Sequence, residues 1–153
     1  MIDNDSATAD WRSHLIQYRA DIRRILAGTH RIAVLGIKTS ESGQPAFFVP
    51  EYALSAGYEI IPVPVYYPNV TEILGKQVYR KMADVPGEVD MVNVFRRPQD
   101  IPQHVNDILA KKPKTVWFQA GIRNDKAAET FAKAGIDVVQ DRCLMVELRT
   151  MGK

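Results

Sequence analysis

Residues 31–68 read RIAVLGIKTSESGQPAFFVPEYALSAGYEIIPVPVYYP, and the order of patterns within them decides the fold. A short run of apolar, partly β-branched residues ends at Gly36. A polar loop follows, then a helical pattern that starts near Pro45, then a second apolar run. Strands with no polar alternation are buried on both faces, which is the condition of a parallel sheet covered by helices. The stretch therefore reads as a strand–helix–strand unit.

The rest of the chain repeats this alternation. Apolar runs at Ile32–Leu35, Ile60–Val65, Met91–Phe95, Thr115–Phe118 and Val138–Val139 are separated by helical patterns. In TEILGKQVYRKMADVP, residues 71–86, Gly75 breaks a short helical turn and Gln77–Tyr79 forms a small edge strand, the third in chain order. Ahead of the first strand, Trp11, Leu15, Tyr18, Ile22 and Ile25 recur at spacings of three and four. That stripe predicts an amphipathic lead-in helix over residues 8–27, stopped at Gly28. Asp100 is positioned to cap a helix carrying Val105, Ile108 and Leu109 before Pro113. Asn124 is positioned to cap another, with Ala127, Ala128 and Phe131 inward and Gly135 at its stop. The expected fold is α/β, a single Rossmann-like open parallel sheet of about five to six strands with helices on both faces.

Composition bounds the function classes. With 153 residues, 46% of them apolar, the chain is the size of one domain over residues 1–153 with a substantial core. A net charge of +2, with the basic residues scattered, argues against a nucleic-acid partner and leaves small anions. Cys143 is the sole cysteine, so no internal disulfide forms and a reducing compartment is expected. The opening MIDNDSATAD lacks the basic start and apolar core of a signal peptide, and no apolar run is long enough for a membrane span. A cytoplasmic location is expected, and a homodimer is left open.

In an open α/β sheet, ligands bind outside the carboxyl ends of the strands, where connections leave on opposite faces. The loop GIKTSESGQP, residues 36–45, has neither the G-x-G-x-x-G fingerprint nor a Walker A lysine. Its Lys38, Thr39, Ser40 and Ser42 lead to a helix start that suits a phosphate, or else it is a solvated loop. Three prolines and the rings of Tyr66 and Tyr67 in PVPVYYPN give either a wall for an aromatic base or a rigid packed turn. NVFRRP, residues 93–98, brings Arg96 and Arg97 to the crevice edge, free for phosphate or salt-bridged. In WFQAGIRND, Gly121 permits a tight turn, Asn124 opens a helix, and Gln119 is in reach of a ligand amide or hydroxyl.

At this point the chain resembles the small stand-alone CoA-binding proteins of Rossmann type, related to the CoA-binding domain of the succinyl-CoA synthetase α subunit. The resemblance covers residues 12–149 and rests on IAVLG, GYEIIPVPV, EILGKQVYRKMADVP, VDMVNVFRRPQDIP, VWFQAGIRNDKAAETFAKAGIDVV and DRCLMVE in that order. It implies that CoA or acyl-CoA lies across the strand ends. Gly36, Ile37, Lys38, Thr39, Ser40 and Ser42 would then approach the phosphates, and Val63, Pro64 and Val65 would border the adenosine. Phe95, Arg96 and Arg97 would lie farther along the ligand, with Gln119, Gly121 and Asn124 near the pantetheine. Relatives carry an arginine in the first loop and a shorter Asn-Pro turn in the second, and this chain departs from both.

Chemistry is less evident than binding. His14, His30 and His104 share no motif with a nucleophile or with metal-ligand spacing, and no dyad or triad is legible. A synthetase would need a phosphorylatable histidine and a ligase domain, and neither is expected here. Cys143, next to Arg142 after the last strand, reads either as an inert buried thiol or as one able to form a mixed disulfide with the CoA thiol. The leading expectation is non-catalytic CoA binding, as carrier, sensor or accessory protein. An enzyme on a nucleotide or sugar phosphate, or a protein-interaction subunit, are the alternatives.

Overall fold

The computed structural model describes residues 10–153. Its centre is a five-stranded parallel sheet built from β1 (Arg31–Leu35), β2 (Glu59–Val63), β5 (Met91–Val94), β6 (Thr115–Phe118) and β7 (Asp137–Val139), in the spatial order β2-β1-β5-β6-β7. Every pairing is parallel. The register brings Val63, Leu35, Val94 and Phe118 into one row, so four carboxyl ends finish level. The fold is the Rossmann-like α/β arrangement, in the doubly wound variant whose strand order reverses between β1 and β5.

Strand burial matches the apolar runs that specify it: all four residues of β5 and of β6 are buried. Alternate side chains feed two cores. On one face, Ile32, Val34, Met91 and Trp117 pack under α1 (Arg19–Ala27), α2 (Pro45–Ser55) and α5 (Leu144–Thr150). On the other, Ala33, Leu35, Val92, Val94 and Phe118 pack under α3 (Val105–Lys111) and α4 (Asp125–Lys133). Phe118 meets Phe131 edge-on with ring centroids 6.4 Å apart, a favoured aromatic geometry. Among the described residues no helix is long and apolar enough to cross a membrane.

Helix boundaries follow local chemistry in several places. Pro45 occupies the first turn of α2, where its missing N–H costs nothing. Asn124 caps α4 as expected, its side-chain oxygen accepting from the Ala127 N–H at 3.0 Å. Gly135, at φ 82°, follows that helix in the left-handed region.

Five expectations need correction. The lead-in is not one helix over 8–27, whose first two residues lie outside the described ones. A 3-10 turn (Asp10–His14) gives way to extended backbone, and α1 begins only at Arg19. Leu15 bridges Val138 in parallel, and the Ile16 N–H donates to the Val138 carbonyl at 2.9 Å. Donors and acceptors on the exposed edge of β7 draw this segment out of the helix.

The expected edge strand at Gln77–Tyr79 is likewise absent from the sheet. β3 (Glu72–Ile73) and β4 (Lys76–Gln77) form a separate antiparallel hairpin. Leu74 and Gly75 turn it with φ of 56° and 71°, so Gly75 serves a two-residue hairpin turn rather than breaking a helix. β2 ends at Val63, not at residue 65. Lastly, Asp100 caps no helix: 3-10 turns at Pro98–Asp100 and Pro102–His104 precede α3, and Asp100 is drawn to arginines instead.

Candidate functional site

The β1–α2–β2 crossover runs over one face of the sheet and β5–α3–β6 over the other, so a crevice opens at their shared origin between β1 and β5. Its centre is set by Gly36. The Gly36 N–H donates to the Val63 carbonyl at 2.9 Å, and the Phe95 N–H donates to the Leu35 carbonyl at 2.9 Å. With φ at +86°, a Cβ on Gly36 would lie 2.3 Å from the Phe95 oxygen. The exits of β1 and β5 therefore touch backbone to backbone, which only glycine permits.

Beyond this contact lies an open crevice of about 340 Å³. It is lined on one side by Lys38, Gln44, Pro45 and Ala46, and on the other by Phe95–Pro98 and Gln119–Ile122. The lining holds three cations, Lys38, Arg96 and Arg97, and no carboxylate. The Lys38 ammonium donates to the Gln44 side-chain oxygen at 2.7 Å. Gln44 is the N-cap of α2, and its side chain makes no cap bond to that helix. Pro45 has no N–H and the Phe47 N–H donates to the Gln44 carbonyl at 2.8 Å, so the first turn brings to this opening the Ala46 N–H and the positive end of the helix dipole.

Arg96 and Arg97 differ in kind. The Arg96 side chain is 9% exposed, and its Nε donates to His104 Nε2 at 3.1 Å. Arg97 is 71% exposed and pairs through Nε with Asp100 at 2.7 Å. That hydrogen bond is the main cause holding the Asp100 carboxyl below its ordinary value. Burial, and then the Arg96 charge, push the His104 imidazole below its ordinary value. A neutral imidazole is the form able to accept from Arg96. The Arg96 guanidinium also lies 5.8 Å from the ring of Tyr66.

Gln119 is 4% exposed. Its Oε1 accepts from the Leu144 N–H at 3.3 Å and lies 3.5 Å from Asn93 Nδ2. The crevice thus unites Lys38, Phe95, Arg96, Arg97, Gln119 and Gly121 of the sequence-expected residues.

Gly36 sits at the base of the crevice, and the others stand apart from the lining. Ile37 and Val63 are buried in the core, Pro64 is buried, and Val65 points outward. Thr39 precedes the 3-10 turn Ser40–Ser42, and its hydroxyl is the main cause lowering the Glu41 pKa. Ser42 Oγ accepts from the Gln44 N–H at 3.2 Å. Asn124 staples the β5 exit to α4, its Nδ2 donating to the Pro98 carbonyl at 3.0 Å. Cys143, half-buried, occupies the N-cap position of α5, outside the lining and without a side-chain bond to the helix. Its neighbour Arg142 is engaged by the Gln17 carbonyl and by Glu147.

Sequence reasoning did not name Gln44, Pro45, Ala46, Pro98, Ala120 and Ile122 as site residues, and it missed the role of His104. Gln44 and Ala46 flank Pro45, whose helix-start signal could have found them. A larger hollow of about 460 Å³ lies at the β7 edge, lined by Trp11, Gln17, Arg123 and Arg142 among others. Its arginines are spent on Asp125 and Glu147, so it offers a ligand no free cation among the described residues. Among those residues, no group of His, Cys, Asp and Glu is placed to hold a metal ion.

A doubly wound sheet with a cationic crevice at its switch point defines a domain built for a phosphate-bearing ligand. The chain belongs to the CoA binding domain family, which matches residues 30–149. It is 33% identical over 128 residues to the uncharacterized protein YneT of Bacillus subtilis, covering 84% of this chain and 92% of that one. A solved structure from Thermus thermophilus, cell-free ID.343, superposes with a TM-score of 0.81 at 36% identity, over 88% of this chain and 99% of that one. The fold alone is shared with an acetyl-coenzyme A synthetase of Ca. Korarchaeum cryptofilum, at TM-score 0.59 and 20% identity over 71% of this chain and 25% of that one.

The residues present fit such a ligand. Lys38, Arg96, Arg97 and the α2 first turn are suited to phosphates, Phe95, Pro98 and Ile122 to its apolar reach, and Gln119 to its amides.

Proposed function

We propose that the protein binds CoA or acyl-CoA across the β1/β5 crevice and performs no chemistry on it, acting as a cytosolic carrier, sensor or accessory protein. The observation that carries this reading is the lining itself: three cations and a helix start, against which the one nearby carboxylate, Asp100, pairs with Arg97 at 2.7 Å and reaches Arg96 only at 3.9 Å, leaving Lys38 and the enclosed Arg96 for a ligand. A ligand bearing several phosphates compensates that charge where a neutral metabolite does not. The nearest imidazole, His104, is committed to Arg96, which argues for holding a ligand rather than moving protons.

Calorimetric titration of the reduced protein with CoA, acetyl-CoA, NAD and ATP tests the reading. Saturable binding of the first two near micromolar, about −8 kcal/mol, is expected. Acetyl-CoA incubated with the protein keeps its acyl group under this reading, and release of the free thiol would move the enzyme alternative ahead. The Cys143–CoA mixed disulfide is a separate branch. If a thiol oxidant plus CoA leaves the protein without a CoA-sized mass increment, that branch is removed.

A further inference from the structure

We infer that Arg80 is a positioning residue for recognition at the crevice: its guanidinium builds the loop that sets Tyr66 beside Arg96. The inference rests on the CoA-binding reading and deepens it.

The loop after β2, residues 64–70, has little means of holding itself. Pro64 and Pro68 have no N–H to give. The backbone bond made wholly inside the loop runs from the Val70 N–H to the Tyr67 carbonyl, at 3.0 Å. Tyr67 sits at φ 63°, a region that a bulky side chain occupies only when its surroundings impose it.

Arg80 imposes it. Its Nη1 donates to the Tyr66 carbonyl at 2.9 Å, and its Nη2 donates to the carbonyls of Tyr67 and Val70, each at 2.8 Å. One planar fork therefore gathers three carbonyls, supplying the Tyr66 and Val70 carbonyls with a donor and joining the Val70 N–H on that of Tyr67, a task that a lysine's point charge does not reproduce. Arg80 is itself anchored to the sheet, since the Tyr79 N–H donates to the Pro62 carbonyl in β2 at 2.9 Å. The β3–β4 hairpin, which adds no strand to the main sheet, delivers the arginine to this point.

The consequence reaches the crevice through Tyr66. Tyr66 is 57% exposed, and its ring stands 5.8 Å from the Arg96 guanidinium. A flat amphipathic face next to a row of cations suits the base of a nucleotide whose phosphates meet those cations. Release of the loop would lower the fraction of molecules presenting that face.

The test titrates wild type, Arg80→Ala and Arg80→Lys with two halves of the ligand, adenosine 3′,5′-bisphosphate and pantetheine, and with CoA. For Arg80→Ala, affinity for the bisphosphate and for CoA is expected to fall roughly tenfold as the competent fraction drops, while pantetheine is unaffected. Arg80→Lys, which keeps the charge and loses the fork, is expected to fall with it and carries the test should the Ala variant not fold. A Tyr66→Ala change added to either is expected to cost nothing further, because both act through one ring. Unchanged bisphosphate affinity, or an equal loss for pantetheine, would overturn the inference. If wild type binds neither CoA nor the bisphosphate, the CoA reading itself fails, and the inference with it, before any variant is examined.

Discussion

Arg96 donates from Nε to His104 Nε2 at 3.1 Å, and the arginine making this bond is almost enclosed, at 9% side-chain exposure. Burial first, then the neighbouring guanidinium, lower the His104 pKa, against upward pulls from Asp107 and Asp100. The unfolded chain therefore takes up its proton at higher pH than the folded one. Stability from this group is intact above the unfolded value of about 6.5 and is lost as pH falls from there toward the depressed folded value. His104→Gln keeps an acceptor for Arg96 but does not titrate. Wild type is expected to lose more melting temperature than the variant between about pH 7 and pH 5. Equal losses would mean that the imidazole titrates as freely in the fold as in the unfolded chain.

The two crevice arginines are expected to differ in worth. Arg96 is fixed by His104 and screened from water, so a phosphate bonded to it gains a charge-assisted contact of about 1.5–3 kcal/mol. Arg97 is 71% exposed and already shared with Asp100, and exposed pairs contribute about 0–1 kcal/mol. Arg96→Ala should therefore weaken CoA by tenfold or more on the order of those energies, and Arg97→Ala by less than about fivefold. Titration at two salt concentrations separates them further, because the exposed contact is the one that salt screens. A larger loss at Arg97 would place the phosphates outside the enclosed part of the crevice.

Legibility in the sequence follows what local pattern can encode. The strands were readable because runs such as Ile32–Leu35 and Thr115–Phe118 are buried on both faces, and Asn124 was readable as a cap because capping is local. The lead-in helix failed because Leu15 and Ile16 keep helical spacing while a distant partner, Val138, takes them into a bridge. Asp100 carries a cap's chemistry, and the guanidinium of Arg97 competes for it and wins. The crevice was half legible: topology pointed to the strand ends, and Lys38, Arg96 and Gln119, expected there, do line it. Arg80 and His104 act through contacts between separate elements, which residue spacing does not record.

Gly36→Ala tests the backbone contact at the centre of the crevice. The new Cβ would meet the Phe95 oxygen at 2.3 Å in a backbone with φ of +86°. Left-handed strain alone costs roughly 1–2 kcal/mol, and the clash is with backbone that cannot swing away. Urea unfolding is expected to record a loss above about 2 kcal/mol, with CoA affinity falling as the β1 and β5 exits are pushed apart. A loss within about 0.5 kcal/mol would mean that the two exits separate freely.

Asn93 offers a trade between stability and site order. It is fully buried in β5, and its Oδ1 has no hydrogen-bond partner among the described residues. Its Nδ2 reaches the Trp117 carbonyl at 3.4 Å and Gln119 Oε1 at 3.5 Å, both long contacts. An orphaned buried acceptor costs about 1–3 kcal/mol, whereas an apolar group of similar shape costs nothing of that kind. Asn93→Leu is accordingly expected to leave unfolding free energy unchanged or to raise it by about 1 kcal/mol. Gln119 would keep only the Leu144 N–H as its anchor, so CoA affinity should drop several-fold while the fold gains. That opposition of signs is the diagnostic result, since a merely structural asparagine would lower both together. Loss of more than about 2 kcal/mol on substitution would instead mean that Oδ1 is satisfied in solution, removing the case for a strained polar group kept to orient Gln119.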